Sequence, residues 1–306
     1  MKKNIIMLIG MLIISLTLAA CGETESELQL REIIGREGYL ITVPAEINTI
    51  VTIGPSVTEI VVGLGFADKI ISTDSFSADV VGLSDGVVAE FGIMDFDAEF
   101  IVNLMPDIIF ITGMARGGGG EDPMAPVLAA GITVVYTPTS VSIAAIKDDI
   151  SFIAYVLEAT EVGESIISTM QAEIDAIADI AATIETTRTV YFEISPAPWI
   201  YSFGAGTFLN EMIELVGATN IFANQESWIS VSEEILLELN PDVILTSTNF
   251  LEDPISEILN RPGFDALTAV QDGKVFIINT ESSSRPSQNI TKALREIAEA
   301  IFPEYF

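Results

Sequence analysis

Apolar positions change rhythm several times along this 306-residue chain, and each change marks an element. Residues 5–20 are almost wholly apolar behind Lys2 and Lys3, and the polar run Gly22-Glu23-Thr24-Glu25-Ser26-Glu27 follows at once. A charged start and a short apolar stretch closed by small residues predict an export signal over 1–20, short for a span of about 20 apolar residues. Beyond it, 39–44 and 49–53 read as strands. Val57, Ile60, Val61 and Leu64 then fall at helical spacing behind Pro55, with Gly63 and Gly65 at the end. The alternation repeats with a strand at 69–73, a helix at 98–105 broken by Pro106-Asp107, a strand at 108–112, a helix at 126–130 and a strand at 133–136. From Ser142 to Ile184 the pattern is helical, with a break near 160–163. Ile166, Ile167, Met170, Ile174, Ile177, Ala181 and Ile184 make one long stripe there. Strands at 189–194, 242–246 and 275–278 and helices at 207–215 and 290–301 complete the chain. Strand and helix in turn, with short connections, predict an α/β fold. Its expected form is two βα lobes with parallel-type sheets joined by a single long α-helix. The expected divisions are a leash at 21–37, an N-terminal lobe at 38–160, a linking helix at 161–186 and a C-terminal lobe at 187–306.

Cys21 is the only cysteine, and it closes the run Leu18-Ala19-Ala20-Cys21. A small-residue tripeptide ending in Cys resembles a bacterial lipoprotein processing site. That resemblance implies lipidation of the Cys21 thiol and an extracytoplasmic body anchored to the cell membrane by lipid alone. Each buried methylene contributes about 0.8 kcal/mol, so two or three acyl chains hold firmly without a spanning helix.

The formal net charge is −31, and removal of Lys2 and Lys3 with the signal would deepen it. Such a body repels phosphate backbones, which excludes a nucleic-acid partner. The chain has no histidine, so Ser-His-Asp and Cys-His catalysis and His-rich metal sites are excluded. A lone cysteine forms no intrachain disulfide and no cysteine metal cluster. Neither a resident cofactor nor a protein-ligated metal is expected.

Ligand sites in open α/β sheets lie beyond the carboxyl ends of the strands. The loops there nominate Pro55, Ser56, Ser75, Phe76, Met114 and Arg116 in the first lobe. In the second they nominate Trp199, Phe203, Asn249, Phe250 and Arg285. Aromatic rings suit the flat face of a macrocycle or catecholate, and arginine suits carboxylates or chelate oxygens. Arg116 reads equally as a solvated loop charge, and Trp199 as a core or hinge aromatic. The run 117–120 of four glycines reads as a flexible loop. A dinucleotide reading of Gly204-Ala205-Gly206 fails, because Leu209 stands where the third glycine belongs.

Ile53-Gly54-Pro55-Ser56-Val57-Thr58-Glu59 resembles the opening of the substrate-binding proteins of iron–siderophore, haem and cobalamin ABC importers. Asp97-Ala98-Glu99 before Pro106-Asp107 resembles that family's acidic helix, and Ser232-Glu233-Glu234 before Pro241-Asp242 its counterpart. Gly204-Ala205-Gly206-Thr207, Gly217-Ala218-Thr219-Asn220 and Arg285-Pro286-Ser287 extend the match over 38–306. The resemblance implies the bilobal class III solute-binding fold, a ligand in the inter-lobe cleft, no enzymatic turnover and a monomer. It implies an ABC permease and its ATPase as partners, with Glu99 and Glu234 docking into the permease and Glu233 as rival to Glu234. A ferric siderophore is the leading ligand class, followed by cobalamin or another corrinoid, haem not bound through histidine, and an oxoanion. A cofactor-binding α/β enzyme and a surface adhesion protein on the same fold are the alternatives from other classes.

Overall fold

The computed structural model describes residues 29–116 and 121–306. Cys21, the signal segment 1–20 and the glycine run 117–120 lie outside the described residues. No helix among the described residues is long and apolar enough to cross a membrane.

An antiparallel hairpin, β1 (Leu30–Ile34) with β2 (Leu40–Pro44), comes first. The expected leash therefore gives way to paired strand by Leu30, because Ile33 and Val43 bury inward and carry the segment onto the core. Five parallel strands follow: β3 (Ile50–Ile53), β4 (Ile70–Asp74), β5 (Val88–Phe91), β6 (Ile108–Thr112) and β7 (Thr133–Thr137). They lie in the order β5-β4-β3-β6-β7. Every residue of β3 is buried, as a strand covered on both faces requires. Helices α1 (Pro55–Gly63), α2 (Ala98–Leu104) and α3 (Ala125–Ala129) make crossovers.

The chain then crosses to the second lobe through α4 (Ile143–Val156) and α5 (Thr160–Ala181). The break between them falls at Glu158, whose φ of 57° is left-handed. Helix α5 has 22 residues, which at 1.5 Å per residue is about 33 Å. Met170, Ile174, Ile177 and Ala181 of the predicted stripe are buried, while Ile166, Ile167 and Ile184 pack at its edge.

The second lobe comprises β8 (Thr189–Glu193), β9 (Tyr201–Phe203), α6 (Phe208–Leu215), β10 (Thr219–Asn220), β11 (Trp228–Ser230), α7 (Glu233–Leu239), β12 (Val243–Thr246), α8 (Pro254–Leu259), α9 (Thr268–Gln271), β13 (Val275–Ile277), α10 (Thr280–Ser284) and α11 (Ile290–Ile301). Its parallel sheet has the order β10-β8-β12-β13, and β9 and β11 form a separate antiparallel pair.

Both lobes fasten the first strand of their parallel sheet with the same local device. Helices α2 and α7 each end in a left-handed residue, Met105 or Asn240, directly before Pro-Asp. The Asp107 carboxylate accepts from the backbone N–H of Asn48 at 2.7 Å and of Thr49 at 2.9 Å. The Asp242 carboxylate accepts from the N–H of Thr189 at 2.8 Å and from its hydroxyl at 2.7 Å. Each aspartate thus holds the start of the strand nearest the centre of its sheet.

One core runs behind both lobes. Ile50, Ile108 and Phe110 of the first sheet, Ile150, Met170 and Ile174 of the connecting helices, and Phe192, Leu245 and Ile297 of the second lobe belong to it. Smaller clusters fill the outer faces, one around Ile109 and Ile111 and the other around Tyr191 and Ile244. Gly204 is needed by close approach: a Cβ there would stand 2.2 Å from the Gln225 carbonyl oxygen. Gly204→Ala is expected to lower stability by about 1–3 kcal/mol, the cost of overpacking. A urea titration checks this, and an unchanged midpoint would contradict the packing.

Candidate functional site

Seven strand ends converge on one cleft between the lobes, with a cavity volume of about 840 Å³. That lies toward the upper end of small-molecule pockets, about 300–1,000 Å³. The first wall is built after β3, β4, β6 and β7, and the second after β8, β12 and β13.

Asp74, at the end of β4, sets the first wall. Its buried carboxylate accepts from the Gly54 N–H at 2.7 Å, the Phe76 N–H at 3.0 Å and the Ser77 hydroxyl at 2.6 Å. It thereby fixes both the turn into α1 and the loop carrying Ser75 and Phe76. Gly54 has a φ of 118°, a conformation that favours glycine, and Pro55 follows at the helix start. The exposed side chains of Phe76 and Met114 present an apolar surface, and Trp228 and Phe250 do so from the other lobe. Between them lies a fringe of hydroxyls, including Ser56, Ser75, Thr137, Thr139, Ser247 and Thr248.

Charge is sparse and mostly committed. Asp149 lines the floor, where it accepts from the Arg36 Nε at 2.7 Å and from the Ser140 hydroxyl. Burial pushes its carboxyl above the ordinary value, while Ser140 and Arg36 pull the other way. Arg285 lies at the lobe boundary. Its guanidinium donates to Glu59 at 3.3 Å, to Asp79 at 2.7 Å and to the Phe76 carbonyl at 3.2 Å. Buried Glu59, on α1, also accepts from the Ser287 hydroxyl and from Asn289 Nδ2 at 2.8 Å. The Gln288 side chain donates to the Glu59 carbonyl at 2.7 Å. One first-lobe glutamate thus collects four C-terminal-lobe residues: Arg285 and, across Pro286, Ser287, Gln288 and Asn289.

Of the residues nominated from sequence, Pro55, Ser56, Ser75, Phe76, Met114, Asn249, Phe250 and Arg285 line the cleft. Arg116, Trp199 and Phe203 do not. Arg116 turns back onto the N-terminal hairpin, donating to both Glu37 carboxylate oxygens at 2.5 Å and stacking 3.6 Å over the Tyr136 ring. Trp199 points to solvent with 75% of its surface exposed. Phe203 is fully buried, with its ring 6.1 Å from that of Trp228. It supports the cleft wall from behind.

Sequence reasoning missed Trp228, Asp79, Thr137, Thr139 and the Ser247-Thr248 pair. Thr137 ends β7 and Thr139 lies just beyond it, so the strand-end rule could have found them. Trp228 carries no such signal, because it enters through the pairing of β11 with β9, where it stands opposite Phe203.

Glu99 and Glu234 stand apart from the cleft lining. Asp97 and Ser232 cap α2 and α7, and each glutamate lies exposed in the first helical turn. Each is followed at the same interval by its Pro-Asp pair, which makes Glu234, not Glu233, the counterpart of Glu99. Backbone and Ser232 hydrogen bonds hold the Glu234 carboxyl below its ordinary value.

Known proteins resemble this chain in sequence and fold. An uncharacterized ABC transporter substrate-binding lipoprotein of Bacillus subtilis, YvrC, is 26% identical over 100% of this chain and 99% of its own length. A cobalamin-binding protein of Halobacterium salinarum is 25% identical over 85% of this chain and 71% of its own. The crystal structure of a possible iron-binding, periplasmic solute-binding protein of Staphylococcus epidermidis superposes with a TM-score of 0.74 at 25% identity, covering 84% of this chain and 99% of that one. The sequence profile of the periplasmic binding protein family matches residues 50–281, which span both sheets and the helices between them. With two βα lobes, one crossing and a cleft at the strand ends, this chain belongs to the periplasmic binding protein family.

Proposed function

We propose that this protein is the lipid-anchored, extracytoplasmic binding component of an ABC importer. It captures a metal–organic chelate between its lobes and delivers it, without turnover, to a permease driven by an ATPase. The observation that carries this reading is the apolar surface of Phe76, Met114, Trp228 and Phe250 opening into a cleft of about 840 Å³. Exposed rings and a methionine on facing walls suit a broad, flat guest, and the hydroxyl fringe suits amide or ether groups at its edge. Among the chelate classes, a corrinoid matches this surface best, ahead of a ferric siderophore, haem or an oxoanion. The cobalamin-binding relative supports placing a corrinoid first. Lipidation at Cys21 and removal of 1–20 belong to the proposal, as do the lobe limits at 38–160 and 187–306 and the monomeric state.

Tryptophan fluorescence tests it. Trp228 lines the cleft and Trp199 does not, so a Trp199→Phe variant isolates the useful signal. Cyanocobalamin is expected to give saturable quenching, and Trp228→Ala to weaken binding about tenfold through loss of a stacking face. A panel of cobalamin, ferric siderophores, haem and molybdate that gives no saturable signal would overturn the reading.

A further inference from the structure

The cleft lining holds one cation and three carboxylates among the described residues: Arg285 against Asp79, Asp149 and Glu281. Asp149 already pairs with Arg36. Arg285 faces the cavity, yet its side chain is only 12% exposed and ion-paired with Glu59 and Asp79 of the other lobe. An anionic guest could recruit that guanidinium only by displacing Asp79 from Nη2 or by drawing Nη1 from Glu59, whose side chain is 7% exposed. A carboxylate so buried is costly to leave without its counter-charge. The guest would also meet the Asp79 carboxylate beside the same guanidinium.

We infer that Arg285 is a specificity-determining residue that acts by being already engaged. Glu59 and Asp79 hold it as a charge filter, so the cleft refuses strongly anionic chelates and keeps those with a neutral periphery. The inference rests on the proposed use of this cleft for a chelated ligand. It adds a rule that the cleft's apolar walls do not supply, since a catecholate ring would stack on Phe76 or Phe250 as well as a corrin would. Loss of a carboxylate should then widen the accepted charge range.

Asp79→Asn tests this directly, because the Asp79 side chain is 57% exposed and its loss leaves the buried Glu59 contacts intact. Equilibrium dialysis of the whole protein against a trianionic ferric tris-catecholate and against cyanocobalamin, with the metals quantified, provides the readout. In Asp79→Asn the affinity for the tris-catecholate is expected to rise about tenfold at 50 mM salt, and by about threefold at 500 mM, where screening weakens the freed charge. Cyanocobalamin carries no net charge, so its affinity should change less than that of the tris-catecholate, and the ratio of the two affinities should rise. Adding Arg285→Gln should remove the gain, because the gain belongs to the Nη2 edge that Asp79 no longer occupies. No gain in Asp79→Asn, or a gain that survives Arg285→Gln, would overturn the filter. Failure of cyanocobalamin to bind would count against the corrinoid reading alone, since the tris-catecholate comparison decides the filter by itself.

Discussion

Arg261→Met is expected to cost about 3–5 kcal/mol of folding stability, the usual penalty for removing one partner of a buried ion pair. The Arg261 and Glu193 side chains are 3% and 1% exposed, and Arg261 Nη1 donates to Glu193 at 2.6 Å. A second bond, from Nη2 to Glu193, spans 2.9 Å, and Glu257 takes the outer edge of the guanidinium. Burial opposes the charge on Arg261, but Glu193 and Glu257 outweigh it and hold its pKa above the ordinary value. Tyr191 donates to the same Glu193 at 2.9 Å, and burial followed by that carboxylate pushes the phenol well up. Without Arg261, Glu193 stays buried at the end of β8 with one hydroxyl for company. Urea unfolding should therefore show a large fall in midpoint. Glu193→Gln on the Arg261→Met background should recover part of the loss, because it deletes the orphaned charge. A single variant as stable as wild type, or a double variant worse than the single, would contradict this account.

Reversing both acidic helix starts, Glu99→Lys with Glu234→Lys, is expected to abolish ligand uptake by cells while the free protein keeps its affinity. Neither side chain lines the cleft, so binding has no reason to change. Both are exposed at equivalent positions on the two lobes, where a cationic pocket on a permease could read them together. Like charges brought face to face cost far more than a lost contact, which is why reversal is the sharper test. Helix α7 should tolerate the change at a few tenths of a kcal/mol, from an unfavourable charge near its N-terminus. Uptake at the wild-type rate in the double variant would remove the docking role, and a matching fall in ligand affinity would reassign these residues to binding.

How much of this was legible depended on the range of the interactions. Strands such as Ile50–Ile53 and Ile108–Thr112 are buried on both faces, so they appear as unbroken β-branched or apolar runs. The α5 stripe was plain for the converse reason, since one face is wet and the other packed. Helix α10, Thr-Glu-Ser-Ser-Ser, has no apolar stripe at all and exists because Asn279 caps it and Thr280 reaches the Ser247 carbonyl at 2.5 Å. The strand-end rule found most of the cleft, because topology alone dictates it. It failed at Phe203, where β9 turns its ring inward and leaves the opening to Trp228 on the paired strand. It failed again at Arg116, because the partner that captures this side chain, Glu37, lies in the turn of a hairpin whose first half reads as leash. Glu59 was recognised only as part of a motif. Its partners at Arg285, Ser287 and Asn289 lie far along the chain, and no local pattern announces them.

The core that passes behind both lobes has a consequence for biogenesis. Helix α11 packs on α5 and α6, and its Ile297 and Ile301 complete the same cluster that Ile33 begins. A chain emerging N-terminus first cannot fully cover the α5 rod until α11 has been made. Until then that rod shows a sticky flank, which makes the interval before α11 docks the moment when a holdase or a protease has most to grip.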